Sequence, residues 1–286
     1  MELSDINILI EVAKSGKISH AAKKLNYAQS NVTARIKKLE KEYNVQLFNR
    51  YSKGVMLTEK GEKFVDYAIK IRNLLDDLRS EMQEVGEPSG DLKIGIVETA
   101  ASSKFMDILN EYQVMYPDVS ISLINATSPK LLKKVQDHEI DGAFISGSFD
   151  ECGMKVEYQM EDTVHLFSKR SEVPPESLCK VSWVVFPKGC PFRKITEEFL
   201  EEENLSAKNM IEVSTLDNLL SCVKSGIAYT IMPKTVINKE TDKFSAYNSS
   251  KKFTNTTTKF VRCNDRYVSN SYNKFVELIN EKCINF

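Results

Sequence analysis

The 286-residue sequence has no long apolar run and no C-x-x-C pair. No segment approaches the roughly 18 apolar residues that a membrane helix needs, and the first residues lack the pattern of a secretory signal. We therefore expect a cytoplasmic protein with no membrane partner. The six cysteines are dispersed without zinc-ligand spacing, which in a reducing compartment is typical of small buried side chains. No metal or other cofactor is expected.

Catalytic motifs are also missing. The sequence has no nucleophile elbow, phosphate-binding loop or dinucleotide fingerprint, and its only histidines are His20, His138 and His165. The acidic run Glu201-Glu202-Glu203 is typical of a solvated helix surface. Because no nucleophile has a candidate base, we predict that the protein is not an enzyme.

Positive charge is concentrated at one end of the chain. Residues 1–60 hold 11 basic and 6 acidic residues, a net charge of +5, whereas the remainder carries −6. A basic segment on an acidic body indicates contact with a polyanion, although an ordinary solvated face has the same appearance.

Apolar spacing in this basic segment predicts three helices followed by a wing. The helices are expected near residues 4–15, 19–25 and 29–43, with Ser4 as the first N-cap and a tight turn at 26–28. Two short strands around a Ser-Lys-Gly tip are expected at 45–58. The predicted buried positions are Ile6, Leu9, Ile10, Ala13, Ala21, Ala22, Leu25, Val32, Ile36 and Leu39.

A short helix, a turn and a longer helix with exposed polar residues are typical of a helix-turn-helix. Gln, Asn and Arg read adenine and guanine edges, and basic residues on a wing contact phosphates. A three-helix bundle with a polar surface is the alternative. The residues expected to contact double-stranded DNA are Ser19, Gln29, Ser30, Asn31, Thr33, Ala34, Arg35, Lys37, Arg50, Ser52 and Lys53.

The segment AAKKLNYAQSNVTARIKKLEKEYNVQLFNRYSKGVMLTEKGEKF, residues 21–64, resembles the N-terminal signature of LysR-type transcriptional regulators. The chain departs from that signature at Ala28, where the family often has a Ser or Thr cap, and at Ala34-Arg35. The resemblance implies a winged helix-turn-helix over 1–60 and a regulator of transcription that is an activator or a repressor. It also implies a homodimer or homotetramer and contact with RNA polymerase.

A heptad pattern follows the wing. Apolar residues spaced four and three apart predict a linker helix over 58–87 that forms an inter-chain coiled coil, with Thr58 as N-cap. Packing against the core of the same domain is the alternative. Such a dimer would bind an interrupted palindrome. The residues expected at the dimer seam are Phe64, Ala68, Ile71, Leu75, Leu78 and Met82.

Strands and helices alternate over 91–286, which predicts a parallel α/β sheet in two sets, the second starting near Val164. The whole chain is thus an α+β multidomain protein. The segments LKIGIVET, IDGAFISG, FPKGCPFRK and VKSGIAYTIMP resemble the two-lobed periplasmic-binding-protein-like effector domain of the same family. The resemblance implies lobe I at about 91–162 and 267–286, and lobe II at about 163–266.

Small hydroxyl residues follow the predicted strands, where ligands bind in open α/β sheets. We expect a small anionic effector of unknown identity between the lobes, although each Ser or Thr also suits a helix cap. A thiol-redox switch using Cys190 and Cys179 is the alternative regulator. The residues expected to bind the effector are Thr99, Ala100, Ser102, Ser128, Ser146, Cys190 and Thr215.

Overall fold

The computed structural model describes residues 1–83, 86–101, 103–169, 178, 180–206, 209–236, 245–248 and 255–282. The chain divides into two compact units, Met1–Gln83 and Glu84–Phe286. Within the described residues, no helix combines the length and the apolar character needed to cross a membrane.

The N-terminal unit contains the three expected helices, the wing and the linker helix. Helix α1 begins at Leu3 and not after Ser4, because Glu2 occupies the cap position and its N–H donates to the Asp5 carboxylate at 2.8 Å. The elements are α1 (Leu3–Ser15), α2 (Ile18–Lys24), α3 (Gln29–Glu42), β1 (Phe48–Tyr51), β2 (Gly54–Leu57) and α4 (Glu59–Gln83).

Helix α1 lies at the centre of this unit, in contact with α2, α3 and α4. It therefore buries Ile8 and Val12 in addition to the predicted face, whereas Ala13 is only half-buried. The antiparallel hairpin of β1 and β2 is held by close backbone approaches. A Cβ atom at Gly54 would lie 2.3 Å from the Gly16 carbonyl oxygen, and one at Gly61 would lie 2.1 Å from that of Leu47.

Helix α4 is capped as predicted, since Thr58 Oγ1 accepts from the Gly61 N–H at 2.9 Å. Of the predicted seam residues, Ile71, Leu78 and Met82 are exposed apolar side chains, whereas Ala68 and Phe64 are not. Ala68 is 1% exposed and packs in the core of its own unit together with Phe64, so the alternative interpretation holds for the first part of the helix. The exposed apolar residues instead form a stripe, here called the α4 stripe, made of Tyr67, Ile71, Leu74, Leu78 and Met82. Leu75 is half-buried.

The C-terminal unit is a mixed α/β structure. Its described elements are β3 (Gly90–Ile96), a 3-10 turn (Glu98–Ala100), α5 (Ser103–Met115), β4 (Val119–Asn125), α6 (Ser128–Gln136), β5 (Gly142–Ser146), β6 (Met154–Ser168), β7 (Ser182–Val185), α7 (Pro191–Glu202), β8 (Asn209–Glu212), α8 (Leu216–Ser225), β9 (Ala228–Pro233), a 3-10 turn (Lys234–Val236), β10 (Ser245–Asn248), β11 (Asn255–Cys263) and α9 (Asn270–Glu281).

The strands form one sheet in the order β4-β3-β5-β11-β6-β9-β7-β8, with β10 also paired to β6. Its two ends are parallel, as predicted, but β6 and β11 are antiparallel to each other and join them. The second set of strands begins near Val164, as predicted, since β6 starts to pair with β9 there, but Val164 lies inside a continuous strand of 15 residues. The alternating polar and apolar residues from Met154 to Asp162 are typical of an antiparallel strand with one solvated face.

Two hydrophobic clusters fill this unit, one at each end of the sheet. The first contains Phe260 and Val261, which we had assigned to lobe II, so the chain returns to lobe I within β11 and not near residue 267. Helix α9 packs on the same first cluster, as predicted, and Tyr112 Oη donates to the Ser271 carbonyl at 2.7 Å.

Candidate DNA-binding groove and ligand cavity

An open groove of about 640 Å³ lies between the starts of α2 and α3 and the hairpin. Its lining, here called the wing groove, consists of residues 17–19, 29 and 50–55. Five of the residues expected to contact DNA meet there: Ser19, Gln29, Arg50, Ser52 and Lys53. Lys17 and Tyr51, which were not among the predicted residues, line the same groove. Among the lining residues three are basic and none is acidic, so the groove attracts anions.

The first turn of α3 has free backbone donors. Ala28 occupies the N-cap position and its methyl side chain offers no acceptor, so the first-turn N–H groups lack the cap that a Ser or Thr would supply. Gln29, Ser30 and Asn31 are exposed at this end. Uncapped N–H groups at a helix N-terminus suit a phosphate oxygen.

Arg35 is held by α1. Its Nη1 donates to Asp5 Oδ1 and to Ser4 Oγ, both at 2.7 Å, and the Asp5 side chain is fully buried. Burial alone would raise the pKa of Asp5, but the Glu2 amide and the Arg35 guanidinium outweigh it and hold that pKa below its ordinary value. In this structure the Arg35 guanidinium bridges α1 and α3, which favours a positioning role over the base contact that the sequence suggested.

The remaining predicted residues of α3 divide into two groups. Ala34 and Lys37 are exposed, like the residues of the first turn. Thr33 is half-buried, and its hydroxyl donates to the Gln29 carbonyl at 2.9 Å. Asn31 accepts from Arg35 Nε at 3.2 Å, which orients its carboxamide.

A cavity of about 250 Å³ lies in the C-terminal unit, where the carboxyl ends of β3, β5 and β7 approach one another. Five residues expected to bind the effector line it, whereas Ala100 is buried in the first cluster and Ser102 lies outside the described residues. The lining residues are Val97, Glu98, Thr99, Asn125, Ala126, Thr127, Ser128, Ser146, Phe186, Pro187, Cys190, Pro191, Phe192, Ser214 and Thr215.

Three hydroxyls of this cavity, those of Ser128, Ser146 and Thr215, already have protein partners. Ser128 Oγ donates to the Ser146 carbonyl at 3.0 Å and accepts from the Ser146 N–H at 3.1 Å. Ser146 Oγ lies 2.8 Å from Thr258 Oγ1. Thr215 caps α8 by accepting from the Asn218 N–H at 3.4 Å. These hydroxyls therefore join the walls of the cavity, and the capping alternative is correct for Thr215.

Glu98 was not anticipated from the sequence. Within the cavity lining, all of it described, it is the only charged side chain. Its carboxylate accepts from the Asn125 carboxamide and, at 3.2 Å, from the Leu216 N–H at the start of α8. The charge of the lining therefore complements a positive group, not the anion that we expected. A Val-Glu-Thr sequence after a strand gives no sign that the carboxylate faces a cavity.

Cys190 sits at the N-cap of α7, at the cavity wall. Burial raises the pKa of its thiol above the ordinary value, which lowers the fraction of reactive thiolate. Cys179, its proposed redox partner, lies outside the described residues. This environment argues against the redox alternative.

Residues 3–62 match the family described as the bacterial regulatory helix-turn-helix protein, lysR family, and residues 86–284 match the LysR substrate binding domain. The chain belongs to the LysR family. It is 36% identical over 283 residues to the HTH-type transcriptional regulator CzcR of Bacillus anthracis, covering 98% of both chains. It is 33% identical to the HTH-type transcriptional regulator SoxR of an Arthrobacter strain, covering 98% of this chain and 96% of that protein.

The fold is that of full-length LysR regulators. The structure of CbnR in complex with its target DNA superposes with a TM-score of 0.69 at 20% identity, covering 98% of this chain and 99% of that one. The LysR-family chain is thus a DNA-binding transcription regulator with an N-terminal helix-turn-helix and a C-terminal effector-binding domain. The family is one of transcription regulators, in agreement with the absence of catalytic motifs from the sequence.

Proposed function

We propose that this LysR-family regulator reads its operator with the first turns of α3 and holds the DNA backbone with the wing groove. The observation that carries the proposal is the convergence of Lys17, Arg50 and Lys53 on the groove that Gln29 enters. Gln29, Ser30 and Asn31 are exposed and carry the donors and acceptors that base edges require. The exposed Lys37 is a further phosphate contact, and Arg35 positions α3 on α1.

Binding to a library of operator variants at several salt concentrations tests this division. The change Gln29→Ala should relax preference at one base pair, at a cost of about 1–3 kcal/mol for the preferred base. The change Lys53→Ala should weaken all sequences alike and reduce the salt slope by about 1. Met56→Ala, at an exposed apolar position of the same hairpin, is the matched control. A uniform loss on Gln29→Ala would remove it from base recognition.

The α4 stripe supports the second part of the proposal, which is a homodimer joined through α4. The helix spans 25 residues, on the order of 40 Å, and its exposed apolar residues recur every three or four positions along one face. A symmetric dimer would present two copies of α3 to an interrupted palindrome. Pairing of two dimers into a tetramer and contact with RNA polymerase are compatible with this arrangement.

The third part of the proposal concerns the effector. We propose a small molecule with a protonated amine, which pairs with Glu98 while its carbon skeleton contacts Phe186 and Phe192. The support is the single negative charge in a cavity of about 250 Å³, in which the Ser128 and Ser146 hydroxyls are already bonded to protein groups. Glu98 belongs to the first lobe and accepts from Leu216 of the second, so a ligand that engages it acts on a contact between the lobes. Regulation then requires different affinities of the ligand for two arrangements of the lobes.

Calorimetry with small amines and with carboxylates of matched size tests the charge of the effector. We expect binding by members of the amine set, at least tenfold weaker in Glu98→Gln, because the ammonium loses its charged partner. Footprinting of the operator with and without the bound amine tests regulation. If only the carboxylates bind, and if they bind more tightly to Glu98→Gln, the result would contradict the amine and favour the anionic effector that the sequence suggested.

A further inference from the structure

Three potential metal ligands meet at the far side of the first cluster. His138 lies in the turn after α6, Cys263 is the last residue of β11, and Asp265 follows in the next turn. The strand pairing of the sheet explains why the three residues lie close together. Strand β11 is antiparallel to β5 with Val261 opposite Ala143, so its continuation brings Cys263 level with residue 141, three positions after His138. None of the three lines the ligand cavity.

The donor atoms are close enough to share one ion. The imidazole, thiol and carboxylate donors all lie within 4.8 Å of one another. Cys263 Sγ donates to Asp265 Oδ1 at 2.9 Å, and His138 Nε2 lies 3.5 Å from the same oxygen. A tetrahedral zinc ion separates its sulfur and nitrogen ligands by about 3.6 Å and its oxygen and nitrogen ligands by about 3.4 Å. Ordinary side-chain rotations of Asp265 and Cys263 cover the difference.

The surroundings suit a bound cation. His138 is 7% exposed and Cys263 is 9% exposed, whereas the Asp265 side chain is 78% exposed and leaves a solvent path for the ion and a water ligand. The neighbouring arginines are neutralised. Arg266 pairs with Asp141 at 2.8 Å and Arg262 pairs with Glu157 at 2.6 Å.

We propose that His138, Cys263 and Asp265 bind one borderline divalent transition-metal ion of the zinc class, with water in the fourth position. A thiolate together with an imidazole selects zinc and cobalt over magnesium and calcium, which prefer oxygen ligands. The ion would tie the end of β11 to the turn between α6 and β5. The proposal stands apart from the effector cavity and does not depend on it.

Titration of the full-length protein with Zn²⁺ and with Co²⁺, in competition with a chelator, tests the site. We expect one ion per chain. The Co²⁺ form should show the intense visible bands of tetrahedral geometry together with a thiolate charge-transfer band in the near ultraviolet. The change Cys263→Ser should abolish that band and lower the affinity at least tenfold. Cys152→Ser, at an exposed cysteine elsewhere in the same unit, is the control and should change neither.

Two further variants separate metal binding from folding. His138 has a φ of +57°, a left-handed conformation that Asn tolerates, so His138→Asn removes the ligand and keeps the turn. Asp265→Asn changes an exposed side chain and should leave the fold intact. Each should weaken Zn²⁺ binding at least tenfold while the fluorescence of Trp183, the single tryptophan, stays native. Wild-type affinity in both variants, or an unchanged charge-transfer band in Cys263→Ser, would overturn the proposal.

Discussion

Truncating Leu78 on the α4 stripe tests the dimer most directly. Leu78 is 50% exposed in the single chain, so about half of its side chain remains to be buried by a partner. Complete burial of a leucine contributes about 1.5–3 kcal/mol, and half of that is about 1 kcal/mol for each chain. A symmetric dimer contains the residue twice. Leu78→Ala should therefore cost about 2 kcal/mol, which is roughly a thirtyfold increase in the dissociation constant of the dimer.

Sedimentation equilibrium over a wide concentration range measures that constant. Val114→Ala is the matched control, because Val114 is apolar and 75% exposed but lies on α5. The double change Leu74→Ala with Leu78→Ala should cost about twice as much, since Leu74 is equally exposed. A dissociation constant for Leu78→Ala within threefold of the wild-type value would refute pairing through this stripe.

Three other changes probe the units separately. The pKa of Asp5 is below its ordinary value of 3.8, so the ionised carboxylate stabilises the folded N-terminal unit. This stabilisation is complete above pH 3.8 and is lost as the pH falls through the folded-state pKa. Asp5→Asn should therefore remove that acid dependence of the urea midpoint followed by circular dichroism, and an unchanged acid limb would contradict the assignment. Gly61→Ala places a Cβ atom 2.1 Å from the Leu47 carbonyl oxygen, so operator affinity and the melting temperature should both fall; a normal melting temperature would show that the wing adjusts freely. Tyr112→Phe leaves the buried Ser271 carbonyl without its donor and should cost about 1 kcal/mol of unfolding free energy in urea denaturation, whereas Tyr27→Phe, at an exposed tyrosine, should cost nothing.

Local patterns predicted the N-terminal unit well. The spacing of Val32, Ile36 and Leu39 identified the buried face of α3, and the Ser-Lys-Gly tip identified the hairpin. The start of α1 was misplaced because Ser is the commoner cap, whereas here Glu2 and Asp5 satisfy the same backbone groups.

The sequence could not predict whether an apolar helix face is buried against the same domain or against another chain. The heptad pattern of α4 is real, but apolar spacing does not distinguish burial on one's own domain from burial on a partner, and Ala68 is buried on its own domain. The ion pair of Arg35 with Asp5 could not be predicted for the same reason, since Asp5 is 30 residues away in sequence and only the crossing of α1 over α3 brings the two together.

The position of the cavity at the strand ends was predicted, but its one charged lining residue, Glu98, was not. Strand-end loops identified Ser128, Ser146 and Cys190, because strand ends converge in any α/β sheet. Glu98 escaped notice because its importance depends on Asn125 and Leu216, which approach it from two other elements.

The paired strands β6 and β11 have a mechanical consequence. They are hydrogen-bonded side by side from Cys263–Met154 to Asn255–Thr163, and β6 alone continues into the second half of the sheet. Among these residues the two lobes are joined by hydrogen-bonded strands and not by a flexible loop. A rotation of one lobe relative to the other must therefore change the twist of β6 and β11. A ligand that changes the angle between the lobes would therefore change the twist of these two strands.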